Sequence, residues 1–253
     1  MATAAVLILG LLAALLFLPR EWLAGVVAAV VALAAFEWAR LCRLSEHAAR
    51  LYAAAAVTAY LILFYESADR IVFAAAAAYW LLVAVPWLLR GVAPRHAPAL
   101  AVAGFLILVP AGLAMVSLRP TQVLLVIGLV SIADSAAYFA GRAWGRHKLA
   151  PAISPGKSWE GAIAGVVAGL AYAIICAAVS DEAAWLPYMG GAALLVVMSI
   201  FGDLFESAAK RQAAVKDSGS LLPGHGGVLD RIDSATATLP LAAFLWPLLE
   251  RIK

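Results

Sequence analysis

Long apolar runs alternate with short polar breaks along the whole chain. Nine such runs stand out, near residues 3–18, 22–39, 51–66, 70–89, 97–117, 121–141, 161–180, 187–207 and 235–250. A helix needs roughly 20 apolar residues to cross a hydrocarbon layer of about 30 Å, so the pattern predicts about nine membrane spans. The runs are continuously apolar and do not alternate at every second position, which excludes a barrel of ~10-residue strands. The expected fold is all-α, a polytopic transmembrane helical bundle. Ala and Gly recur within the runs, as around Tyr79, and small residues let helices pack closely inside a membrane.

Composition supports this reading. Hydrophobic residues make up 65% of the chain and charged residues 13%, against roughly 25% charged in a soluble domain. The N-terminal run has no positive segment before it, so it reads as the first span and not as a cleaved signal peptide. Cys42 and Cys176 are far apart and have no partner at ligand spacing, which argues against a disulfide or a metal site. The net charge of +3 comes from short loops, which points to anionic headgroups or phosphates and not to nucleic acid. Thirteen of the 18 Lys and Arg residues follow the second, fourth, sixth and eighth runs. Positive loops stay in the cytoplasm, so the N-terminus is expected inside and the C-terminus outside, although Arg251 and Lys253 in the tail oppose the last assignment. Trp22, Trp38, Trp87 and Trp246 fall at run ends and read as interfacial anchors.

Chemistry gathers in the second half, where nine of the 15 acidic residues lie between Asp134 and Asp233. Residues 1–120 read as transmembrane scaffold, and 121–253 as a catalytic region with cytoplasmic loops 142–160 and 208–234. The longest polar stretch reads GDLFESAAKRQAAVKDSGSLLPGHGGVLDRID. Asp203, Glu206, Ser207 and Lys210 are spaced to share one helix face. An acid at the depth of Asp203 is costly, about 2.5–3.5 kcal/mol at a bilayer centre, and marks a functional position. Asp230 and Asp233 stand where the loop returns, so carboxylates from both of its ends reach one interface and can converge on one cation. Lys210, Arg211, Lys216 and Arg231 flank them. Mg²⁺ takes one or two carboxylates together with phosphate oxygens and water, and this set suits it. Ser218-Gly219 and the turn from Pro223 to Gly227 offer unhindered backbone N–H groups to a phosphate. His225 reads equally as a phosphate contact or as a hydrogen bonder within the turn.

A second cluster, DSAAYFAGRAWGRHKLAPAISPGKSWEG, follows the sixth run. Asp134 is either a functional acid or a helix–helix hydrogen bonder, and Arg142 and Arg146 lead the chain out of the membrane. A Pro/Gly turn then presents Lys157 and Ser158 at the start of the next helix, where phosphate is attracted. The alternative is a capped return to the bilayer, with Ser158 as N-cap and the bases snorkelling to headgroups. The glycine spacing is wrong for a Walker A loop.

The pattern S-x-x-K-R-x4-K-D-x-G-x3-P-x-H-G-G-x2-D-R-x-D, here Ser207 through Asp233, resembles the signature of the phosphatidate cytidylyltransferases, also known as CDP-diglyceride synthases. The elements G-D-L-x-E-S, D-x2-A-Y-x2-G-R-x2-G-R and S-P-x-K-S-x-E-G are similar to that family too. Together these blocks cover about the last 100 residues before the ninth run, whereas the earlier spans match only in being hydrophobic. The resemblance implies a helical membrane enzyme that depends on Mg²⁺, compatible with a second ion such as K⁺. It implies CTP or dCTP as nucleotide and phosphatidic acid as lipid substrate, at the cytoplasmic side of a bacterial inner membrane. It puts the metal on Asp203 and Asp230, with Asp217 and Asp233 as further metal candidates. Lys210, Arg211, Lys216 and Asp217 complete the catalytic set. Lys157, Ser158, Ser207, His225, Gly226, Gly227, Arg231, Asp134 and Arg142 form the substrate-binding set. The rival readings are a CTP-dependent transferase acting on another lipid and an ion transporter with Asp134 and Asp203 on its path; the absence of paired half-repeats counts against the transporter. A homodimer is compatible with a compact bundle, but no interface is visible in the sequence.

Overall fold

The structure, a computed structural model, describes residues 2–66, 69–179, 185–219 and 226–250. Its helices are α1 (Ala2–Phe17), α2 (Arg20–Leu41), α3 (Glu46–Glu66), α4 (Asp69–Ala78), α5 (Val85–Arg90), α6 (Ala97–Ser117), α7 (Pro120–Trp144), α8 (Trp159–Val179), α9 (Trp185–Gln212) and α10 (Leu229–Leu249). A π-helical turn, Tyr79–Ala84, joins α4 to α5 without a break. Among the described residues, eight helical stretches are long and apolar enough to cross a membrane, from Arg20–Leu41 to Leu229–Leu249, and the chain is a multi-pass membrane protein. The first of the nine expected spans, α1, is a helix of 16 residues.

Local chemistry explains the breaks. Proline lacks a backbone N–H and disfavours a helical residue before it, so Pro19 separates α1 from α2 and Pro120 opens α7. The Gln122 side chain accepts the Arg119 backbone N–H at 2.8 Å, satisfying one donor at the α7 start. Gly91, at φ 91°, turns the chain after α5.

One core runs through the bundle. Trp38, expected at the interface, is instead 1% exposed. Its indole N–H donates to the Leu100 carbonyl at 2.7 Å, so the polar edge is satisfied without water. Its ring stacks on Phe205, which Trp80 and Trp87 also meet edge-on. This aromatic group braces α9 at Phe205, between the acids Asp203 and Glu206.

α7 and α8 pack through a glycine stripe. A Cβ on Gly161 would lie 2.6 Å from the Ala137 carbonyl oxygen, and one on Gly165 would lie 2.9 Å from that of Ala133, so the two backbones touch. Between these helices the loop is not a plain turn. β1 (Lys148–Ala150) and β2 (Ser154–Ser158) form an antiparallel hairpin with an irregular register, which the Pro/Gly content had suggested was a turn.

Candidate active site

α9 and α10 deliver acids to the same place because α9 approaches α10 through a glycine. A Cβ on Gly202 would stand 2.8 Å from the Asp233 carbonyl oxygen. The next residue, Asp203, binds the Lys157 ammonium at 2.6 Å through Oδ2 and accepts the Ser207 hydroxyl at 3.2 Å through Oδ1. About two turns further along α9, Lys210 Nζ lies 2.8 Å from Glu206 Oε2 and 2.6 Å from Asp230 Oδ1. Lys210 and Glu206 are both buried, so this bridge is desolvated and neither charge is left alone. The other Asp230 oxygen accepts the Ser218 N–H at 3.0 Å, the Ser218 hydroxyl at 2.9 Å and the Gly227 N–H at 2.8 Å.

Two linked groups result. Asp134 faces Lys157, Asp203 and Ser234. Asp233 faces Asp203, Lys157 and Lys210, and Glu206 faces Asp233 and Asp230. Five carboxylates therefore share two ammonium groups, Lys157 and Lys210. Among the described residues, the Glu206 Oε1 atom is buried without a hydrogen-bond partner. Such an excess of negative charge attracts a cation. Among the described residues, no three His, Cys, Asp or Glu side chains form a metal cage. A magnesium ion does not need one, since substrate phosphate and water fill most of its six positions. The donor set fits such an ion.

The remaining candidates divide between rim and frame. Lys216, Asp217, Arg231 and Arg142 are exposed, and Arg142 donates to the Tyr138 hydroxyl at 3.2 Å. The Arg211 guanidinium donates to the carbonyls of Ile153 and Val215, both at 3.1 Å, so it ties the hairpin to the end of α9. Ser158 is buried among Gly141, Gly145 and Gly161 and accepts the Gly161 N–H at 3.2 Å, which is the capping alternative. Glu160 accepts the His147 backbone N–H and pairs with its ring nitrogen at 2.6 Å, fixing the start of the hairpin. Gly226 has φ 80°, a left-handed conformation suited to glycine, and a Cβ there would come within 2.7 Å of Asp230 Oδ2. Gly227 packs against Ser218 and Glu37. His225 lies outside the described residues.

Glu37 is the residue that sequence reasoning missed. It sits on α2, 7% exposed, and reaches the start of α10, which carries Asp230. Its own signal was present: an acid inside an apolar run, ALAAFEWARL, marks a costly position just as Asp203 does.

The cytidylyltransferase family matches residues 1–249. The chain belongs to that family. A phosphatidate cytidylyltransferase of Pseudomonas aeruginosa is 42% identical over 262 residues, covering 96% of this chain and 95% of the relative. A phosphatidate cytidylyltransferase of Haemophilus influenzae is 48% identical over 123 residues, covering 47% and 43% of the two chains. One of Bacillus subtilis is 46% identical over 115 residues, covering 44% and 42%.

Proposed function

We propose that the protein is a phosphatidate cytidylyltransferase that joins CTP or dCTP to phosphatidic acid, giving CDP-diacylglycerol and pyrophosphate. The observation that carries this reading is a pair of neighbouring ion pairs, Lys157 of the hairpin on Asp203 of α9 and Lys210 of α9 on Asp230 of α10, with Asp233 facing Asp203, Lys157 and Lys210. Acids and bases on one interfacial spot suit a reaction that brings two polyanions together.

A phosphatidate oxygen, already anionic near neutral pH, attacks the α-phosphorus of the nucleotide. The new P–O bond forms as the bond to the β-phosphate bridging oxygen breaks, and pyrophosphate leaves with that oxygen. No strong protein base is required, and positioning carries the rate. Lys157 and Lys210 rest on carboxylates and, in this reading, turn toward the phosphates when substrate arrives. Exposed Lys216, Arg231 and Arg142 draw the triphosphate toward the cluster. Asp203 and Asp230 are the residues that would hold Mg²⁺, with Asp233 beside them and Asp217 at the rim. Such an ion neutralises charge on the α-phosphate. A second ion such as K⁺ would find the same excess of acids. The site faces the cytoplasm of a bacterial inner membrane, because nucleotide comes from water and the lipid tails stay in the bilayer. A homodimer belongs to the same reading.

The test is incubation of purified protein with labelled CTP, Mg²⁺ and phosphatidate. The expected products are lipid-linked cytidine and pyrophosphate in equal amounts. Release of CDP with transfer of only the γ-phosphoryl group would overturn the reading.

A further inference from the structure

α10 begins without a cap of its own. Val228 stands at its N-cap position and provides no side-chain hydrogen bond, although the first N–H groups of a helix need partners when buried. Glu37 supplies them from α2. Its carboxylate accepts the Val228 N–H at 3.0 Å and the Leu229 N–H at 2.8 Å, and also the Ser218 hydroxyl at 3.0 Å. Two glycines make room for it: a Cβ on Gly219 would lie 2.5 Å from Glu37 Oε1, and one on Gly227 would lie 2.6 Å from the same atom. Gly219 and Gly227, two of the glycines that looked like a phosphate cradle in sequence, thus pack around a carboxylate. A negative charge at a helix N-terminus is favourable.

The post that carries Glu37 is firmly held. Arg43, just past α2, donates to the Gln212 carbonyl at 2.9 Å, and the Gln212 side chain donates to the Leu41 carbonyl at 2.7 Å. Trp38, the next residue after Glu37, stacks on Phe205. Ser218 is shared, because its hydroxyl touches both Glu37 Oε2 and Asp230 Oδ2. The two acids grip one loop from opposite sides.

We infer that Glu37 is a positioning residue that pins Ser218, Gly219 and Gly227–Leu229 so that Asp230 keeps its place opposite Lys210. This rests on the proposed reading only for its effect on turnover, while the pinning itself is independent of it. Glu37→Gln keeps the shape but replaces one accepting oxygen with an NH₂ that faces N–H donors.

The experiment compares wild type, Glu37→Gln and Gly219→Ala by hydrogen exchange in detergent and by turnover with CTP and phosphatidate. Amides of 218–219 and 226–229 should exchange roughly 10-fold faster or more in both variants, the scale of a lost buried hydrogen bond, with α6 and α8 unchanged. kcat should fall by a similar factor, while KM for CTP shifts less than about 3-fold, within the scatter of such energies. Unchanged exchange in that segment with unchanged kcat would overturn the inference. So would loss of protection spread over the whole bundle in both variants, since that is a folding defect. An inactive wild type would instead count against the proposed activity, leaving the exchange result to decide the pinning.

Discussion

Lys210 has two acids on one ammonium group, and removing either acid has a different expected result. Asp230→Asn takes away the acid that also holds Ser218 and Gly227, so it disturbs both charge and loop. Turnover should drop by about 100-fold or more, the size seen when a charge-stabilising group is lost, while the thermal midpoint in detergent changes little because Glu206 still pairs with Lys210. Near-normal turnover would remove Asp230 from the catalytic set. Lys157 is half-buried on Asp203 and belongs to substrate binding. Lys157→Ala should raise KM for CTP by roughly 10-fold, about one lost charge-assisted contact, with a smaller effect on kcat. Initial-rate kinetics over a CTP series checks this, and an unchanged KM would confine Lys157 to holding Asp203. The carboxylates of the second half stood out because an acid near a membrane is costly, whereas Glu37 on α2 was passed over. Their pairing was not legible, since the sequence cannot say which of several acids a lysine will meet.

Among the elements, the helices were the legible part, because a span must be about 20 residues long and apolar throughout. The hairpin of β1 and β2 was not. Its five-residue second strand, Ser154–Ser158, contains Pro155 and Gly156, which read as a turn; its pairing depends on Lys148 and on Glu160 holding His147. The glycines of the D-x2-A-Y and S-P-x-K-S elements also took on meaning only in three dimensions, where Gly141, Gly145 and Gly161 close around the Ser158 hydroxyl. Gly165 gives the sharpest test of that crossing. Gly165→Leu forces a side chain against the Ala133 carbonyl and should cost about 1–3 kcal/mol as overpacking does, lowering the thermal midpoint. Because β2 brings Lys157 in directly before α8, turnover should fall with it. A midpoint equal to wild type would mean that α7 and α8 can separate freely.

At the scale of the molecule, Glu37 belongs to the stretch read as scaffold, yet it holds the loop before α10. The separation of 192 residues from Leu229 hides such a contact from any local reading. The same joining of distant ends fixes the topology: α2, α9 and β2 all finish on the side where α10 begins, and α3 must end on the opposite side at Glu66. Thirteen Lys and Arg residues follow alternate runs, and since positive loops favour the cytoplasm, the proposed reading puts the site end there. Single cysteines at Lys216 and Glu66, both exposed, test this with a membrane-impermeant maleimide. Burial pushes the Cys42 thiol up to about 12, so it stays protonated and inert; the half-buried Cys176 is replaced by Ala in the background. In intact cells Glu66→Cys should be labelled, and Lys216→Cys only after permeabilisation. The reverse pattern would turn the molecule over, and then a water-borne nucleotide would have to meet the acids from outside the cell.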